Sequence, residues 1–267
     1  MEIKSTIGNT SLIQSDEEAI SEFLKRRNLA KVNASSAPVH PRKTLYTRFI
    51  KRGLDLLVSF PAFVFLLPFN IIFGICTFFD VGRPIFYKQT RIGKDERPFT
   101  IVKFRNMNNN TDQDGKLLPA RERVTKFGFF MRSHSLDELL NFWSILKGDM
   151  GIIGPRPLPA FFYDRMSDRH RMRSAVRPGL ECPRVINVEG ELYQKQFEND
   201  VWYVENVSFT TDIKMIILLF KMTFAKKVRT SAAGGIYFVG YDDSGRAIYK
   251  DLAIEKYGKE MEKERNA

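Results

Sequence analysis

Between Arg132 and Pro157 the chain reads Arg-Ser-His-Ser-Leu-Asp-Glu-Leu-Leu-Asn-Phe-Trp-Ser-Ile-Leu-Lys-Gly-Asp-Met-Gly-Ile-Ile-Gly-Pro-Arg-Pro. Two adjacent carboxylates, Asp137 and Glu138, stand at the expected start of a helix, with Arg132 before them and a Gly/Pro loop carrying Arg156 after them. An Asp in that position can serve as a nucleophile or a magnesium ligand, because backbone N–H groups and the dipole at a helix start favour negative charge and phosphate. The spacing Ser135-Leu-Asp-Glu138 also matches a capping box, with Ser135 capping and Glu138 returning a hydrogen bond. That structural reading does not exclude chemistry at Asp137. His134, beside the pair, reads as structural. The loop from Gly148 to Pro157 lacks the Gly-Lys-Ser/Thr ending of a P-loop, but it is a stiff turn that presents Arg156, whose fork can bind phosphate bidentately. Upstream, Lys103 and Arg105 are expected on one face of a strand with Phe104 on the other; paired cations suit phosphate, and a solvated basic edge is the rival reading.

Several elements must position these groups. Alternation and β-branched residues predict two strands, in 83–93 and 99–105, joined by a polar turn from Gly93 to Arg97. Residues 108–115 read as a polar loop. Leu54 to Phe79 is the most apolar stretch, with Asp55 its only formal charge. As a helix its roughly 39 Å would cross a bilayer. Basic residues flank both ends (Lys43, Arg48, Lys51 and Arg52; Arg83, Lys88, Arg91 and Lys94), so a span would place one basic flank outside, against the positive-inside tendency. A break at Pro68, with Pro61 before it, gives two arms of roughly 18 Å that dip and return on one face. A straight span and a buried core helix are the alternatives.

With 267 residues and 43% hydrophobic content, one domain with extensions is the prior. A net charge of +11 calls for an anionic partner: nucleic acid, membrane surface or phosphorylated substrate. Cys76 and Cys182 have neither metal spacing nor a disulfide framework. The N-terminus shows no secretory signal pattern. Residues 16–32 suit a helix with Ile20, Phe23, Leu24 and Leu29 on one face, either docked, on a membrane surface or weakly ordered. Asp212 to Lys227 combines apolar residues with Lys214, Lys221, Lys226 and Lys227, which fits a membrane-interface helix as well as core packing. Residues 236–249, around Asp242-Asp-Ser-Gly245, read as a hairpin, and 250–267 as a charged helix or tail.

Taken together, Lys51-Arg52-Gly-Leu-Asp55, Lys103-Phe-Arg105, Arg132 with Ser135-Leu-Asp-Glu-Leu139, Gly148-Asp-Met150, Gly154-Pro-Arg-Pro157 and Arg177-Pro-Gly179 resemble, in order, the bacterial sugar transferases, or small monotopic phosphoglycosyl transferases. The resemblance covers about residues 45 to 225. It implies an α+β, helix-rich monotopic membrane protein with a re-entrant helix (43–80) kinked at Pro68 and a small cytoplasmic catalytic domain (81–230) with interfacial helices; the extension (1–42) and the C-terminal hairpin and tail (231–267) lie outside the family core. It implies transfer of a phosphosugar from a nucleotide-diphosphate sugar, usually a UDP-sugar, to a polyprenol phosphate such as undecaprenyl phosphate, at the cytoplasmic face of the bacterial inner membrane. Asp137 is then the nucleophile, with Mg2+ as cofactor and Asp137 as its ligand. Glu138 helps position the metal or accepts a proton. Lys103, Arg105, Arg132, Arg156 and Pro157 bind the donor phosphates, and Asp200 and Asp212 are further metal or donor candidates. Ionisation of Asp137 is expected to be favoured by the helix start, Arg132 and magnesium. Partners are the nucleotide sugar, polyprenol phosphate and phospholipid, with a homodimer among the expectations. Leu67-Pro68, Leu140-Asn141 and the stretch from Glu181 to Glu189 depart from the family pattern, so the sugar is left open. The rival class is a basic membrane-anchored protein binding anionic lipid or nucleic acid, although no helix-turn-helix, zinc module or RNA-binding aromatic signature supports nucleic acid. Release of a nucleoside monophosphate from a nucleotide sugar separates the two.

Overall fold

A computed structural model describes residues 13–224 and 237–265. The chain opens with α1 (Ile13–Leu24), passes through a π-turn (Lys25–Leu29) and continues as α2 (Ala30–Ser35). Ile20, Phe23 and Leu24 fall on one helical face and are buried against Val239, Ile248, Ala253 and Tyr257. Of the three fates open to this segment, docking on the chain's own C-terminal part is the one observed.

After a second π-turn (Tyr46–Ile50), α3 (Lys51–Val81) runs on without stopping at Pro61 or Pro68. An interior proline removes one ladder donor and bends a helix, but it need not end one that is strongly helical on both sides. With its preceding turn, this is the one helix among the described residues long and apolar enough to cross a membrane. It is turned inside out relative to a soluble core helix: the face packed on the protein carries Asp55, Ser59, Asn70, Gly74 and Thr77, while Phe65 and Phe79 are 69% and 81% exposed. A buried core helix is therefore excluded. Both ends rest on the same body. Arg52 donates to the carbonyls of Ile145 and Leu146 at 2.6 and 3.0 Å, and Asp55 accepts from the Ile152 amide at 3.0 Å. At the far end Thr125 Oγ1 donates to Asp80 at 2.5 Å.

The expected strands form an antiparallel pair, β1 (Phe86–Ile92) and β2 (Pro98–Phe104), with Phe86 opposite Phe104 and Ile92 opposite Pro98. Short α4 (Ala120–Arg123) and α5 (Lys126–Ser133) follow, the latter capped by Thr125 Oγ1, which accepts from the Gly128 amide at 2.8 Å. Beyond a 3-10 turn (Leu136–Glu138) come α6 (Asn141–Lys147), β3 (Gly151–Ile153), α7 (Ala160–Tyr163), α8 (Asp168–Arg171) and β4 (Gly179–Glu181). The pairing of β3 with β4 is parallel, Gly151 opposite Gly179 and Ile153 opposite Glu181. A Cβ on Gly179 would sit 2.2 Å from the Gly154 amide, so glycine is what lets the two Gly/Pro loops touch.

The chain closes with α9 (Leu192–Asn206), α10 (Phe209–Phe224), the antiparallel hairpin β5 (Phe238–Tyr241) and β6 (Ala247–Tyr249), and α11 (Lys250–Arg265). Outward on α10 lie Ile213, Ile217 and Phe220; the expected Lys226 and Lys227 lie outside the described residues. Phe162, Tyr193, Phe197, Phe238 and Tyr241 form one buried aromatic cluster that joins the hairpin to α7 and α9. Helices and short two-stranded sheets thus make a helix-rich α+β fold.

Tyr241 fastens this junction. Its hydroxyl oxygen accepts from the Ser167 amide at 2.9 Å and meets His170 Nδ1 at 2.8 Å, all three residues being buried. Tyr241→Phe strands a buried N–H and should destabilise the fold by roughly 1–3 kcal/mol, read as a lowered melting temperature; an unchanged melting temperature would show that water takes over the bond.

Candidate active site

The capping box does not form. Ser135 adopts a left-handed conformation (φ 57°) and its side chain makes no cap bond, so the chain leaves α5 through a tight turn into the 3-10 segment that carries the acidic pair. Glu138 is thereby aimed across the fold instead of back at Ser135. Its Oε1 accepts from Lys103 Nζ at 2.6 Å and from Arg156 Nη2. Lys103 arrives from β2 and Arg156 from the loop after β3, so this one carboxylate ties together three separated stretches of chain.

Asp137 is 7% exposed, and its Oδ2 accepts from Asn106 Nδ2 at 3.0 Å. Asn106 is held in turn by α5: a Cβ at Gly128 would fall 2.1 Å from the Asn106 carbonyl oxygen, so that backbone approach requires glycine. Burial, and then the charge of Glu138, push the Asp137 carboxyl above the ordinary aspartate value, while Lys103 and Arg132 oppose the rise. This corrects the expectation of a readily ionised Asp137, because a short 3-10 turn supplies no α-helix start and the site is desolvated. For Glu138 burial acts in the same upward direction, yet Arg156 and Lys103 overcome it and hold the group at about 2. Two neighbouring carboxyls driven in opposite directions are a functional-site signature. Glu138 stays charged and neither accepts a proton readily nor is free of its cations.

Burial lowers the Lys103 ammonium, with Glu138 opposing and Arg156 and Arg91 adding to the drop. Arg91 entered the sequence reading only as a basic flank. Here it is half-buried, with Nη1 donating to the Pro157 carbonyl at 3.1 Å, Nη2 donating to Gln89 at 2.6 Å, and a buried Nε that has no partner. Burial, then the charge of Arg156, bring it down to about 10. The Gln89-Thr-Arg91-Ile-Gly93 spacing at the end of β1 was its sequence signal. Asn106, which follows Arg105 beyond β2, carried none.

The remaining candidates divide. Pro157 offers its carbonyl to Arg91, and Arg132 stands in the last turn of α5 with its charge acting on Asp137. Arg105 is not at the pair: β2 ends at Phe104, the alternation stops, and the guanidinium donates to the carbonyls of Val81 and Arg83 at the end of α3. Asp200 lies behind the Gly/Pro loop and not beside the acidic pair. Fully buried, it binds Arg173 at 2.6 and 3.0 Å, and Arg173 donates to the Arg156 carbonyl at 2.8 Å, so the ion pair supports the loop from behind. Asp212 is likewise committed, accepting from Tyr46, Lys51 and Tyr203, each at 2.6 Å, where α10 meets the start of α3. Among the described residues no three His, Cys, Asp or Glu side chains converge as a metal cluster. With Glu138 committed to Lys103 and Arg156, Asp137 is the carboxylate of the pair that would hold a magnesium ion, together with substrate phosphates and water.

Glu138→Gln keeps the shape and removes the charge that Lys103 and Arg156 share. Losing these charge-assisted bonds from a half-buried pair should cost roughly 1.5–3 kcal/mol at neutral pH. Since the folded-state value is depressed from 4.5 to about 2, the wild-type advantage is complete above about 4.5 and disappears as pH falls towards 2. Melting curves of both proteins across that range should converge at the acid end; a gap independent of pH would assign the loss to something other than the charge.

The geometry can be set beside known proteins. The bacterial sugar transferase family model matches residues 46–226. Over 195 residues the chain is 32% identical to the UDP-N-acetylgalactosamine-undecaprenyl-phosphate N-acetylgalactosaminephosphotransferase of Aeromonas hydrophila, covering 70% of this chain and 44% of that protein. It is 32% identical over 189 residues to the UDP-glucose:undecaprenyl-phosphate glucose-1-phosphate transferase of Klebsiella pneumoniae, covering 66% and 40%. The chain thus spans less than half the length of these two relatives. With the uncharacterized sugar transferase EpsL of Bacillus subtilis it shares 41% identity over 139 residues, 52% of this chain and 69% of that one. Matched by the family model over well more than half its length, with the acidic pair and its cations all inside the matched region, the chain belongs to the bacterial sugar transferase family.

Proposed function

We propose that the protein transfers a phosphosugar from a UDP-sugar to a polyprenol phosphate such as undecaprenyl phosphate, through a covalent intermediate on Asp137, as an early membrane step in surface polysaccharide synthesis. The observation that carries this reading is the geometry of the pair: a buried Asp137 held by Asn106, next to a Glu138 that accepts from both Lys103 and Arg156. The relatives' names supply the substrate class, UDP-sugar and undecaprenyl phosphate.

In the first half-reaction an Asp137 carboxylate oxygen attacks the phosphorus that bears the sugar. The bond from that phosphorus to the oxygen bridging the two phosphates breaks, and the nucleoside monophosphate leaves with the electron pair. In the second, a phosphate oxygen of the acceptor attacks the same phosphorus and returns the carboxylate. Charge is the chief obstacle, since a dianionic pyrophosphate must approach a buried acid. Arg156 and Arg91 supply fixed positive charge without reorganising, while Glu138 keeps Lys103 and Arg156 from repelling each other. Magnesium, held by Asp137 and the donor's own oxygens, would add charge neutralisation and favour the ionised carboxylate.

The same reading places the catalytic body on the cytoplasmic face of the inner membrane, with α3 entering and leaving by that face and α10 along the interface. Support comes from the inverted α3, whose polar side faces the protein and whose two ends are held by one body, and from the outward apolar residues and lysines of α10.

Two experiments test this. Incubated with donor and Mg2+ alone, the protein should release a burst of monophosphate and gain the mass of one phosphosugar, and Asp137→Asn should abolish both; monophosphate that appears only when acceptor is added would replace the covalent route with direct transfer. Cysteines introduced at Arg42 and at Lys94, probed from outside intact cells, should both stay unlabelled; labelling of one alone would establish a span.

A further inference from the structure

One aromatic surface is not used by the donor chemistry. On α5 the residues at positions 128 and 131 are buried and those at 126, 129 and 130 face out. Phe129 and Phe130 are 49% and 46% exposed. The Phe130 ring stacks on Phe127 at 6.4 Å and meets His134 at 4.6 Å, so the helix displays a continuous ledge of rings about 12 Å long. Its two ends give the ledge a direction. At the first, Thr125 is hydrogen-bonded to Asp80 in the last turn of α3, beside the exposed Phe78 and Phe79. At the other, Arg132 acts on Asp137. The inner face is fixed too, because Gly128 lies against Asn106, whose amide holds the Asp137 carboxylate.

We propose that this face of α5 is the track on which the lipid phosphate acceptor docks, its prenyl chain lying over Phe129 and Phe130 and its phosphate meeting Arg132. The inference rests on the transferase reading and extends it by assigning the acceptor's surface. Two observations select this occupant. The ledge meets the last turn of α3 at the Thr125–Asp80 bond, beside the exposed Phe78 and Phe79, and its far end carries Arg132, so the occupant joins an anionic head to an apolar tail. An ordinary phospholipid or a second copy of the chain would cover the rings without needing the track to end at the nucleophile.

The experiment uses the full chain in nanodiscs. Polyprenyl phosphate carrying a diazirine near its phosphate should label the peptide 126–133 without any donor present, and unlabelled polyprenyl phosphate should compete. In the double variant Phe129→Ser/Phe130→Ser, the monophosphate burst from donor alone should persist, while KM for a long-chain polyprenyl phosphate rises at least tenfold and kcat changes little. Leucine at both positions should restore most of the loss. Labelling confined to α3, equal labelling by a diazirine phospholipid that polyprenyl phosphate does not displace, or an unchanged KM in the serine variant would each overturn the proposal. If the wild type gives no burst and yet α5 is labelled competitively, the transferase reading fails while the lipid phosphate track stands.

Discussion

Everything at the site hangs on a single carboxylate oxygen shared by Lys103 and Arg156. Glu138 is half-buried between two half-buried cations, where an unpaired charge would be expensive. Removing Glu138 leaves two cations facing each other without a counter-charge, so this one carboxylate ties the hairpin, the acidic turn and the Gly/Pro loop together, alongside the apolar cluster of Ile101, Ile145 and Met150. Asp137 gains from this arrangement although it takes no part in it. Burial is the first cause of its raised value and the charge of Glu138 the second, with Lys103 and Arg132 opposing both.

The supports behind the site follow the same logic at longer range. The Asp200–Arg173 pair holds the Arg156 carbonyl, Arg91 holds the Pro157 carbonyl, and paired glycines let β3 and β4 approach. Rigid backbone thus delivers a flexible side chain, and two acids named as ligand candidates are engaged in the framework instead, Asp200 by Arg173 behind the loop and Asp212 by Tyr46, Lys51 and Tyr203 under α3.

Much of this was legible in the sequence because it depends on local period. The two hairpins, the amphipathic α1 and the long apolar helix all follow from spacing of two or of three to four residues. The acidic pair and Arg156 could be named from their motifs. What could not be read was anything set by pairing across the chain. Ser135 looked like a cap because its spacing to Glu138 is right, but long-range cations outcompeted the local hydrogen bond. Arg105 and Lys103 looked alike because the end of β2, one residue earlier than alternation suggests, is decided by where Phe104 packs. Arg91 and Asn106 acquire meaning only once the loop after β3 brings Pro157 to the first and the packing of α5 brings Asp137 to the second, and no short motif encodes either contact.

The burial of α1 against β5, β6 and α11 has a consequence for how the protein is made. Ile20, Phe23 and Leu24 emerge from the ribosome early, while the residues that cover them, Val239, Ile248 and Tyr257, come near the end. At roughly 5–20 residues per second, these side chains wait on the order of ten seconds or more with no partner, during which α3 emerges with its own exposed phenylalanines. The growing chain therefore carries two apolar surfaces, and only one of them has a final partner within the protein. Early capture of α3 by a bilayer would lower the chance that the two stick to each other, and would leave closure of the terminal core as a late folding event.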